Sequence, residues 1–298
     1  MRVFLAGATG FIGSHLIAEL IGAGHQVVGL SRSDAGTAKL TETGADVVRG
    51  DLDDLEGLRA ASAAADGVIH AAFNHDFANV KQHSEADRRV IATLGEALAG
   101  SDRPFIVTSG TGLVQSRTGD PVTEADEPAS STDVPRAATE EAARALVAKG
   151  GRVIVMRLPQ VHDSAHQGRI ALHILLARRH GRVAYIGEGE NRLPAAHVSD
   201  VVRLYRLALE QGQAGARYHA VDEQGVSLRA IAEVIGAGLK LPVASIAPDQ
   251  ADAYFGGLAG LAAMDLAASG AATRAALGWA PKGPDLLSDL GAMDYSVG

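Results

Sequence analysis

A glycine-rich turn near the amino terminus constrains the fold of this chain more than any other feature. The sequence begins MRVFLAGATGFIGSHL, in which an apolar run is followed by Gly7, Gly10 and Gly13 and then by an apolar pattern of helical period. Glycine permits a positive φ in a tight turn and lets backbone amides approach a ligand closely. The amino terminus of the following helix adds partial positive charge. The stretch therefore predicts a turn that binds a pyrophosphate between a strand and a helix.

Short apolar runs alternate with longer helical patterns through the first half of the chain. Most of these runs are apolar throughout, which indicates strands that are buried on both faces of a parallel sheet. Strands that alternate with helices through right-handed crossovers predict an α/β fold, a Rossmann doubly wound parallel sheet. The strands are expected at 3–6, 26–30, 45–48, 67–70, 105–108 and 152–157, and helices at 11–21, 54–64, 85–99 and 136–148.

The alternation weakens after about residue 160, which predicts a division of the chain into two parts. Residues 1–160 are expected to form an NADP-binding Rossmann domain. Residues 161–298 are expected to form mostly a smaller C-terminal substrate-binding lobe, with late strands and helices returning to the sheet. No Pro/Ser-rich linker separates the parts, so the lobe should pack at the carboxyl edge of the sheet, where doubly wound folds bind ligands.

Composition excludes several classes of protein. The chain is 298 residues long and 47% hydrophobic, with a net charge of −8 and a pI of about 5.7. The negative charge argues against nucleic acid or an anionic membrane as a partner. The absence of cysteine removes disulfides, thiolate catalysis and cysteine–zinc sites. With neither a signal-peptide pattern nor a long apolar run, we expect a soluble, cytoplasmic protein.

The G-x-x-G-x-x-G spacing of the turn resembles that of the extended short-chain dehydrogenases/reductases, a family that includes NAD-dependent epimerases and dehydratases. The segments GDLDD, VIHAAF, RLPQVHD, HVSD and ALGWAP also match that family in order, so the resemblance covers essentially the whole chain. It implies that a dinucleotide lies along the turn and passes GDLDD, VIHAAF and RLPQVHD. The cofactor-binding residues that it implies there are Gly7, Thr9, Gly10, Phe11, Ile12, Gly13, Asp51, Leu52, Ala71, Ala72, Thr108, Pro159, Gln160 and Val161.

The end of the second strand should select between the two nicotinamide cofactors. The sequence VVGLSRSD places Ser31, Arg32 and Ser33 where the adenosine ribose is expected. An acidic residue there binds the 2′-hydroxyl of NAD, whereas a cation accommodates the 2′-phosphate of NADP. Arg32 therefore favours NADPH. The alternative is a solvated Arg32 with Asp34 as the ligand of the ribose.

The family's catalytic tyrosine and lysine are both absent. In the resembled enzymes a hydride goes to a carbonyl carbon while a tyrosine protonates the oxygen, and a lysine four residues later lowers the pKa of that tyrosine. Alignment of PRAATEEAARAL puts Arg136 at the tyrosine position and Glu140 at the lysine position, and no Tyr-x-x-x-Lys occurs anywhere in the chain. At a spacing of four, Arg136 and Glu140 are expected to form a helix-surface pair, with contact of Arg136 to substrate as the alternative.

The usual substrate-positioning serine is also replaced. Its position falls on Gly110 in VTSGTG, between Ser109 and Thr111. Either hydroxyl is expected to position the substrate oxygen as the candidate catalytic residue. The alternative is that both only close the turn at the end of the strand. His197, in HVSD before Asp200, is expected to cap a helix rather than to catalyse.

Three sources remain for the missing proton. One is a histidine, with His75, His162 or His166 as candidates. Another is a water held by Ser109 or Thr111. The third is the substrate itself, through a hydroxyl beside the ketone, because well-placed intramolecular groups reach effective molarities of about 10⁵–10⁸ M. His162 and His166 lack a third ligand at a matching spacing, so no metal is expected.

The sequence thus predicts an NAD(P)H-dependent ketoreductase that reduces a carbonyl of a bulky small molecule. The departures from the family motifs resemble those of atypical ketoreductases that act on aromatic polyketides in antibiotic biosynthesis. A non-catalytic dinucleotide-sensing protein and a nucleotide-sugar epimerase/dehydratase-like enzyme remain alternatives. The expected partner is a small-molecule ketone, without nucleic acid or membrane, and the protein is expected to be a monomer or homodimer.

Overall fold

The computed structural model describes residues 1–74, 79–114 and 119–296. Its strands are β1 (Arg2–Ala6), β2 (Gln26–Ser31), β3 (Asp46–Arg49), β4 (Gly67–His70), β5 (Phe105–Gly110), β6 (Val153–Leu158), β7 (Gln160–His162), β8 (Val183–Ile186), β9 (Arg192–His197), β10 (Arg217–His219), β11 (Glu223–Ser227) and β12 (Val243–Ile246). Its α-helices are α1 (Phe11–Gly22), α2 (Asp34–Glu42), α3 (Leu55–Ala63), α4 (Val80–Glu96), α5 (Ala138–Ala148), α6 (Ile170–His180), α7 (Val198–Gln211), α8 (Leu228–Leu239), α9 (Ala251–Phe255), α10 (Ala259–Ala263), α11 (Ala271–Leu277) and α12 (Leu286–Ala292).

The main sheet is parallel and doubly wound, which confirms the predicted fold class. Its order is β10-β6-β5-β4-β1-β2-β3, and every neighbouring pair is parallel. The strand order reverses at β1, which pairs with β2 on one side and with β4 on the other. In such sheets ligands bind at the carboxyl ends of the strands beside this reversal.

Helical layers cover both faces of the sheet. Successive residues of β1 point to opposite faces: Leu5 packs in the cluster formed with α1 and α7, and Phe4 packs in the cluster formed with α3, α4 and α5. Both residues are fully buried. A strand with apolar residues at every position is needed because both faces are covered.

The second half of the chain returns to the main sheet through β10, which pairs with β6. The remaining strands form two small sheets, β11-β9-β7 and β12-β8. The sequence predicts a strand at 182–186, which β8 confirms. Helix α4 also begins five residues before the expected residue 85. The part of the chain that the structure describes includes no helix with the length and apolar character needed to cross a bilayer.

The segment HVSD is hydrogen-bonded to the segment that begins with ALGWAP. The buried Asp200 carboxylate accepts hydrogen bonds from the backbone nitrogens of Lys282 and Gly283, and the Trp279 indole donates to the Asp200 carbonyl. His197 is the N-cap of α7 and accepts a bond from the backbone nitrogen of Ser199. The expected capping role of His197 is therefore confirmed.

Candidate functional site

The glycine turn has a geometry that only glycine allows. Gly7 has a φ of 94°, and a β-carbon on it would lie 2.7 Å from the Ala71 carbonyl carbon and the Ala72 nitrogen. A β-carbon on Gly13 would overlap the Gly7 carbonyl oxygen. The end of β4 and the start of α1 thus approach the turn without intervening side chains.

The amino terminus of α1 suits a diphosphate. Gly10 is its N-cap, makes no side-chain capping bond, and is followed by a first turn without acidic residues. Thr9, Phe11 and Ile12 lie on this same turn. Because the first backbone N–H groups of a helix have no partner within the helix, they are available to an anion. The residues present therefore fit the pyrophosphate of a nicotinamide dinucleotide.

The Ser31 and Ser33 hydroxyls at the end of β2 form local hydrogen bonds. Ser31 is buried and donates a 3.0 Å hydrogen bond to the Ser33 carbonyl. Ser33 caps α2 by accepting a bond from the backbone nitrogen of Gly36. Asp51 accepts bonds from the backbone nitrogens of Asp53 and Asp54 and so shapes the turn after β3. Leu52 packs against the core cluster of α3, α4 and α5.

Two of the charged side chains beside this turn form an ion pair. Arg32 is exposed, whereas the Asp34 carboxylate lies 3.0 Å from the Arg49 guanidinium. Arg49 ends β3, directly beside Ser31 in the strand pairing. An anionic ligand at this edge would meet the guanidinium groups of Arg32 and Arg49. It would also meet the Asp34 carboxylate, which is ion-paired with Arg49.

Residues at the ends of β5 and β6 form hydrogen bonds with neighbouring elements. Thr108 Oγ1 lies 2.7 Å from the hydroxyl of Tyr205, whose complete burial raises the pKa of that phenol. Pro159 separates β6 from β7, and β7 places Gln160 and Val161 in buried positions. Gln160 donates from its side chain to the Gln167 carbonyl. These residues line the edge of the sheet where the resemblance places the nicotinamide half.

Arg136 stands where the family has its tyrosine, in a single 3₁₀ turn (Pro135–Ala137) before α5. Its Nη1 donates to Asp87 at 2.8 Å, and its Nη2 donates to the Thr108 carbonyl at 3.1 Å. The guanidinium carbon lies 3.7 Å from the centre of the Phe73 ring. Three contacts on different elements therefore fix the guanidinium above the ends of β4 and β5.

Asp87 of α4 is the centre of the network that holds Arg136. Its side chain is 4% exposed and also contacts His70 Nε2 at 2.6 Å and the Thr139 hydroxyl at 2.5 Å. Burial alone would raise the pKa of Asp87, but its three partners lower the pKa below its ordinary value. Burial lowers the pKa of Arg136, and the Asp87 charge opposes this effect.

Glu140 forms a second buried network, so the expected surface pair of Arg136 and Glu140 is wrong. Arg157 of β6 is fully buried and donates two 2.8 Å hydrogen bonds to the two Glu140 oxygens. The Ser109 hydroxyl donates to the same carboxylate at 2.6 Å. The first turn of α5 faces the sheet, and this orientation directs Glu140 towards the buried guanidinium.

The hydroxyls of Ser109 and Thr111, on either side of Gly110, both contact other protein groups. Ser109 is 5% exposed and bound to Glu140, and Thr111 is 3% exposed with its hydroxyl 3.4 Å from the Leu158 carbonyl. Both contacts match the alternative in which these residues close the end of the strand. Their role in positioning a substrate oxygen stays a prediction.

The candidate histidines differ in burial and in their contacts. His162 is fully buried, with Nδ1 2.7 Å from Asp289, and burial lowers its pKa. The exposed His166 ring stacks on Phe11 of the glycine turn at 4.7 Å. His75 lies outside the described residues. In the described ranges, no three histidine or acidic side chains gather in a group that could hold a metal ion.

Several residues of this site were missed by the sequence analysis. Asp87, Arg157 and Phe73 complete the two networks, and Asp87 lies outside every matched segment. The other residues carried a positional signal, because His70 and Phe73 lie within VIHAAF and Arg157 is the first residue of RLPQVHD. Arg136, the residue that replaces the tyrosine, is thus held by the buried Asp87 and is not a surface substitution.

Comparison with known proteins decides the family. A model of the NAD dependent epimerase/dehydratase family matches residues 3–222. The chain belongs to this family. The fold agrees: a dTDP-glucose 4,6-dehydratase, DesIV from Streptomyces venezuelae, solved with NAD and TYD bound, superposes with a TM-score of 0.77 at 21% identity over 99% of this chain and 96% of that chain.

Curated relatives cover much or all of the sequence of this epimerase/dehydratase-family chain. The uncharacterized protein YLL056C of Saccharomyces cerevisiae is 41% identical over 100% of both chains. A sterol-4-alpha-carboxylate 3-dehydrogenase, decarboxylating, of Dictyostelium discoideum is 27% identical over 76% of this chain and 73% of its own. A 4-hydroxy-2-methyl-3-oxo-4-farnesyl-3,4-dihydroquinoline-1-oxide ketoreductase of Stigmatella aurantiaca is 28% identical over 84% and 77%.

Proposed function

We propose that this protein is an NADPH-dependent reductase of a ketone on a bulky, largely apolar small molecule. The observation that carries the proposal is the Arg136 guanidinium, fixed above the ends of β4 and β5 where the family has its tyrosine. A cation held there by structure, rather than by the ligand, suits a reaction in which negative charge develops on an oxygen.

Arg136 would stabilise the oxygen that becomes an alkoxide. A guanidinium carries five N–H groups, so the two bonds to Asp87 and the Thr108 carbonyl leave donors for a substrate oxygen. The network around Asp87 keeps these donors in place before the substrate binds. Removal of one such donor in other enzymes costs about 10²–10³ in rate.

NADPH, when bound along the glycine turn, would supply the hydride to the carbonyl carbon. A proton must then reach the oxygen, and Arg136 does not supply it because arginine keeps its proton near neutral pH. Ser109 donates its only hydroxyl proton to Glu140. A histidine near the site, a water beside it, or an acidic hydroxyl of the substrate next to the ketone would supply the proton and restore the neutral alcohol.

Three features support NADPH over NADH. Arg32 is exposed at the end of β2, Arg49 ends the neighbouring strand, and the exposed Asp34 carboxylate is ion-paired with Arg49. Guanidinium groups match the geometry and charge of a phosphate. The 2′-phosphate of NADPH would therefore find two cations at this edge.

The class of substrate is supported by the names of the relatives. One acts on a farnesylated oxoquinoline oxide as a ketoreductase, and another is named for a sterol carboxylate. Both names describe bulky, apolar ring systems. Neither name describes an aromatic polyketide, so the proposal keeps the bulky ketone and drops the predicted role in antibiotic biosynthesis.

One observation favours a second candidate, a non-catalytic dinucleotide-binding protein. Ser109 stands beside the position of the family's serine and Glu140 at the position of its lysine, and both are hydrogen-bonded in one buried network with Arg157. A sensor needs the turn but no reactive hydroxyl. A nucleotide-sugar epimerase or dehydratase is also compatible with the family, although the tyrosine on which those reactions depend is absent.

The test is an assay of NADPH oxidation with matched ketones. Purified protein would be mixed with NADPH and apolar cyclic or aryl ketones, each with and without a hydroxyl adjacent to the carbonyl, and the absorbance of the reduced cofactor followed. Consumption with any ketone supports the reductase, and a requirement for the hydroxyl identifies the proton source. NADPH binding without consumption across the panel would favour the sensor, and turnover of a nucleotide sugar the epimerase.

A further inference from the structure

The Thr108 hydroxyl at the end of β5 is hydrogen-bonded to a buried phenol. Successive residues of a strand point to opposite faces of the sheet, so Ser109 meets Glu140 of α5 while Thr108 meets the layer on the other side. There Thr108 Oγ1 lies 2.7 Å from the hydroxyl of Tyr205, a residue of α7. Tyr205 is fully buried, whereas Thr108 is half-buried. The two hydroxyls therefore connect the core to the carboxyl end of β5.

Burial determines the direction of this hydrogen bond. Within the part of the chain that the structure describes, the Tyr205 hydroxyl is bonded to Thr108 and to no other side chain. A buried hydroxyl hydrogen without an acceptor is destabilising, so the phenol donates and the Thr108 oxygen accepts. A threonine hydroxyl carries one hydrogen of its own. That hydrogen is left for an acceptor at the end of the strand.

Thr108 also contacts Arg136, through its carbonyl oxygen. Arg136 Nη2 donates a 3.1 Å hydrogen bond to that oxygen. The carbonyl and hydroxyl oxygens of one threonine are at most about 5 Å apart, because a short run of covalent bonds joins them. The Thr108 hydroxyl and the Arg136 guanidinium therefore lie at the same end of β5, where the proposed function places the ketone oxygen.

The Tyr205 phenol is suited to hold a proton until a strong base forms beside Thr108. Burial raises the pKa of Tyr205 above its ordinary value, and the bond with Thr108 and the Arg136 charge oppose this effect in part. The phenol is therefore neutral at neutral pH. An alkoxide is a stronger base than a phenolate, so it can still draw the proton. The Arg136 charge would stabilise the phenolate that remains.

From these contacts we infer that Thr108 and Tyr205 form the proton path that replaces the missing tyrosine and lysine. The inference rests on the proposed function, because it needs a ketone that is reduced beside Arg136. The carbonyl carbon receives a hydride from NADPH, and the π electrons of the C=O bond move to the oxygen. This oxygen takes the Thr108 hydroxyl proton while the Thr108 oxygen takes the phenol proton of Tyr205. After the alcohol leaves, water returns one proton to the phenolate through Thr108.

The path is tested first on the full chain without cofactor or ketone. Tyrosine labelled with ¹³C at Cζ would be incorporated, the Tyr205 signal assigned by its absence in Tyr205→Phe, and the exchange of its hydroxyl proton with solvent followed by NMR. Exchange should be similar in the unmodified chain and in Thr108→Ser, which keeps the hydroxyl. It should be about 10²-fold slower in Thr108→Val, which removes the hydroxyl that passes the proton on. Equal exchange in Thr108→Val would overturn the inference.

Kinetic measurements then test the role of the path in the reduction. Tyr205→Phe is expected to lower kcat about 10²–10⁴-fold while KM for the ketone and Kd for NADPH stay unchanged. Thr108→Val should lower kcat to a similar extent, and the double variant should be no slower than either single variant, because the two hydroxyls act in series. Tyr218→Phe is the matched control, since it removes the hydroxyl of another buried tyrosine, on β10.

These outcomes separate the inference from the proposed function. Ketone reduction with the same kcat in Tyr205→Phe and Tyr218→Phe would keep the reductase and remove the path. Reduction only of ketones with an adjacent hydroxyl would do the same, because the substrate would then supply the proton. A chain that oxidises no NADPH with any ketone would remove the reductase, and with it the base that the path serves, even where exchange through Thr108 is found.

Discussion

Arg136 donates a 2.8 Å hydrogen bond to Asp87, and this contact ties the residue at the family's tyrosine position to the middle of α4. The bond is more than a local pairing, because Asp87 also holds His70 at the end of β4 and Thr139 at the start of α5. Three elements that meet at the carboxyl edge of the sheet thus share one carboxylate. The Arg136 guanidinium that this network orients is the group that carries the proposed function.

Loss of the Arg136 charge should slow the reaction without loss of the cofactor. Arg136→Met is expected to lower kcat about 10²–10³-fold with an unchanged Kd for NADPH, and Arg136→Lys to recover part of kcat. The matched control is Arg144→Met, an exposed position on α5 that pairs with an exposed Glu127. An unchanged kcat in Arg136→Met, in a folded protein, would remove Arg136 from the chemistry.

Cofactor preference should depend on Arg32. Arg32→Gln is expected to weaken NADPH binding about ten- to a hundred-fold while NADH binding changes little, because only NADPH has the 2′-phosphate. Arg59→Gln, on the outer surface of α3, serves as the control. Equal effects on the two cofactors would show that Arg32 is solvated and that selection resides elsewhere.

Loss of the contact between Glu140 and Arg157 should lower the stability of the fold. Arg157→Met leaves the buried Glu140 carboxylate with Ser109 as its hydrogen-bond partner among the residues that the structure describes, and is expected to lower the free energy of unfolding by about 3–5 kcal/mol. The double variant Arg157→Met with Glu140→Leu should recover much of that loss. Urea unfolding monitored by circular dichroism measures both, and a loss below 1 kcal/mol in the single variant would contradict the buried pairing.

Acid should weaken the contact between α4 and the start of α5. Burial raises the pKa of Glu141, but the Ser131 backbone N–H and the Arg88 guanidinium outweigh this effect and lower the pKa to about 2. A lowered pKa means that the stabilisation is complete above the ordinary value of 4.5 and disappears as the pH falls towards 2. Glu141→Gln should therefore be less stable than the unmodified chain at pH 7, by about 1 kcal/mol, and the difference should shrink below pH 4.5. A difference that is constant between pH 7 and 3 would be inconsistent with this assignment.

Local patterns in the sequence were sufficient for the fold and for the absence of the usual acid. The glycine turn, the apolar strands and the missing Tyr-x-x-x-Lys are all visible within a few residues. The partners of Arg136 and Glu140 are not, since Asp87 and Arg157 lie on other elements and meet them only after the sheet and α5 pack together. A spacing of four on a helix suggested a mutual pair, but tertiary packing directed the two side chains to different buried partners.

The most direct test of the central claim follows the hydride itself. NADPH deuterated at C4 of the nicotinamide, prepared with either stereochemistry, would be incubated with the protein and the ketone panel, and the alcohols analysed by mass spectrometry. An alcohol with one deuterium at the former carbonyl carbon is expected from one of the two labelled cofactors, and about a hundredfold less of it from Arg136→Met. Bound cofactor with no deuterium in any alcohol would contradict the account and leave a dinucleotide-binding protein.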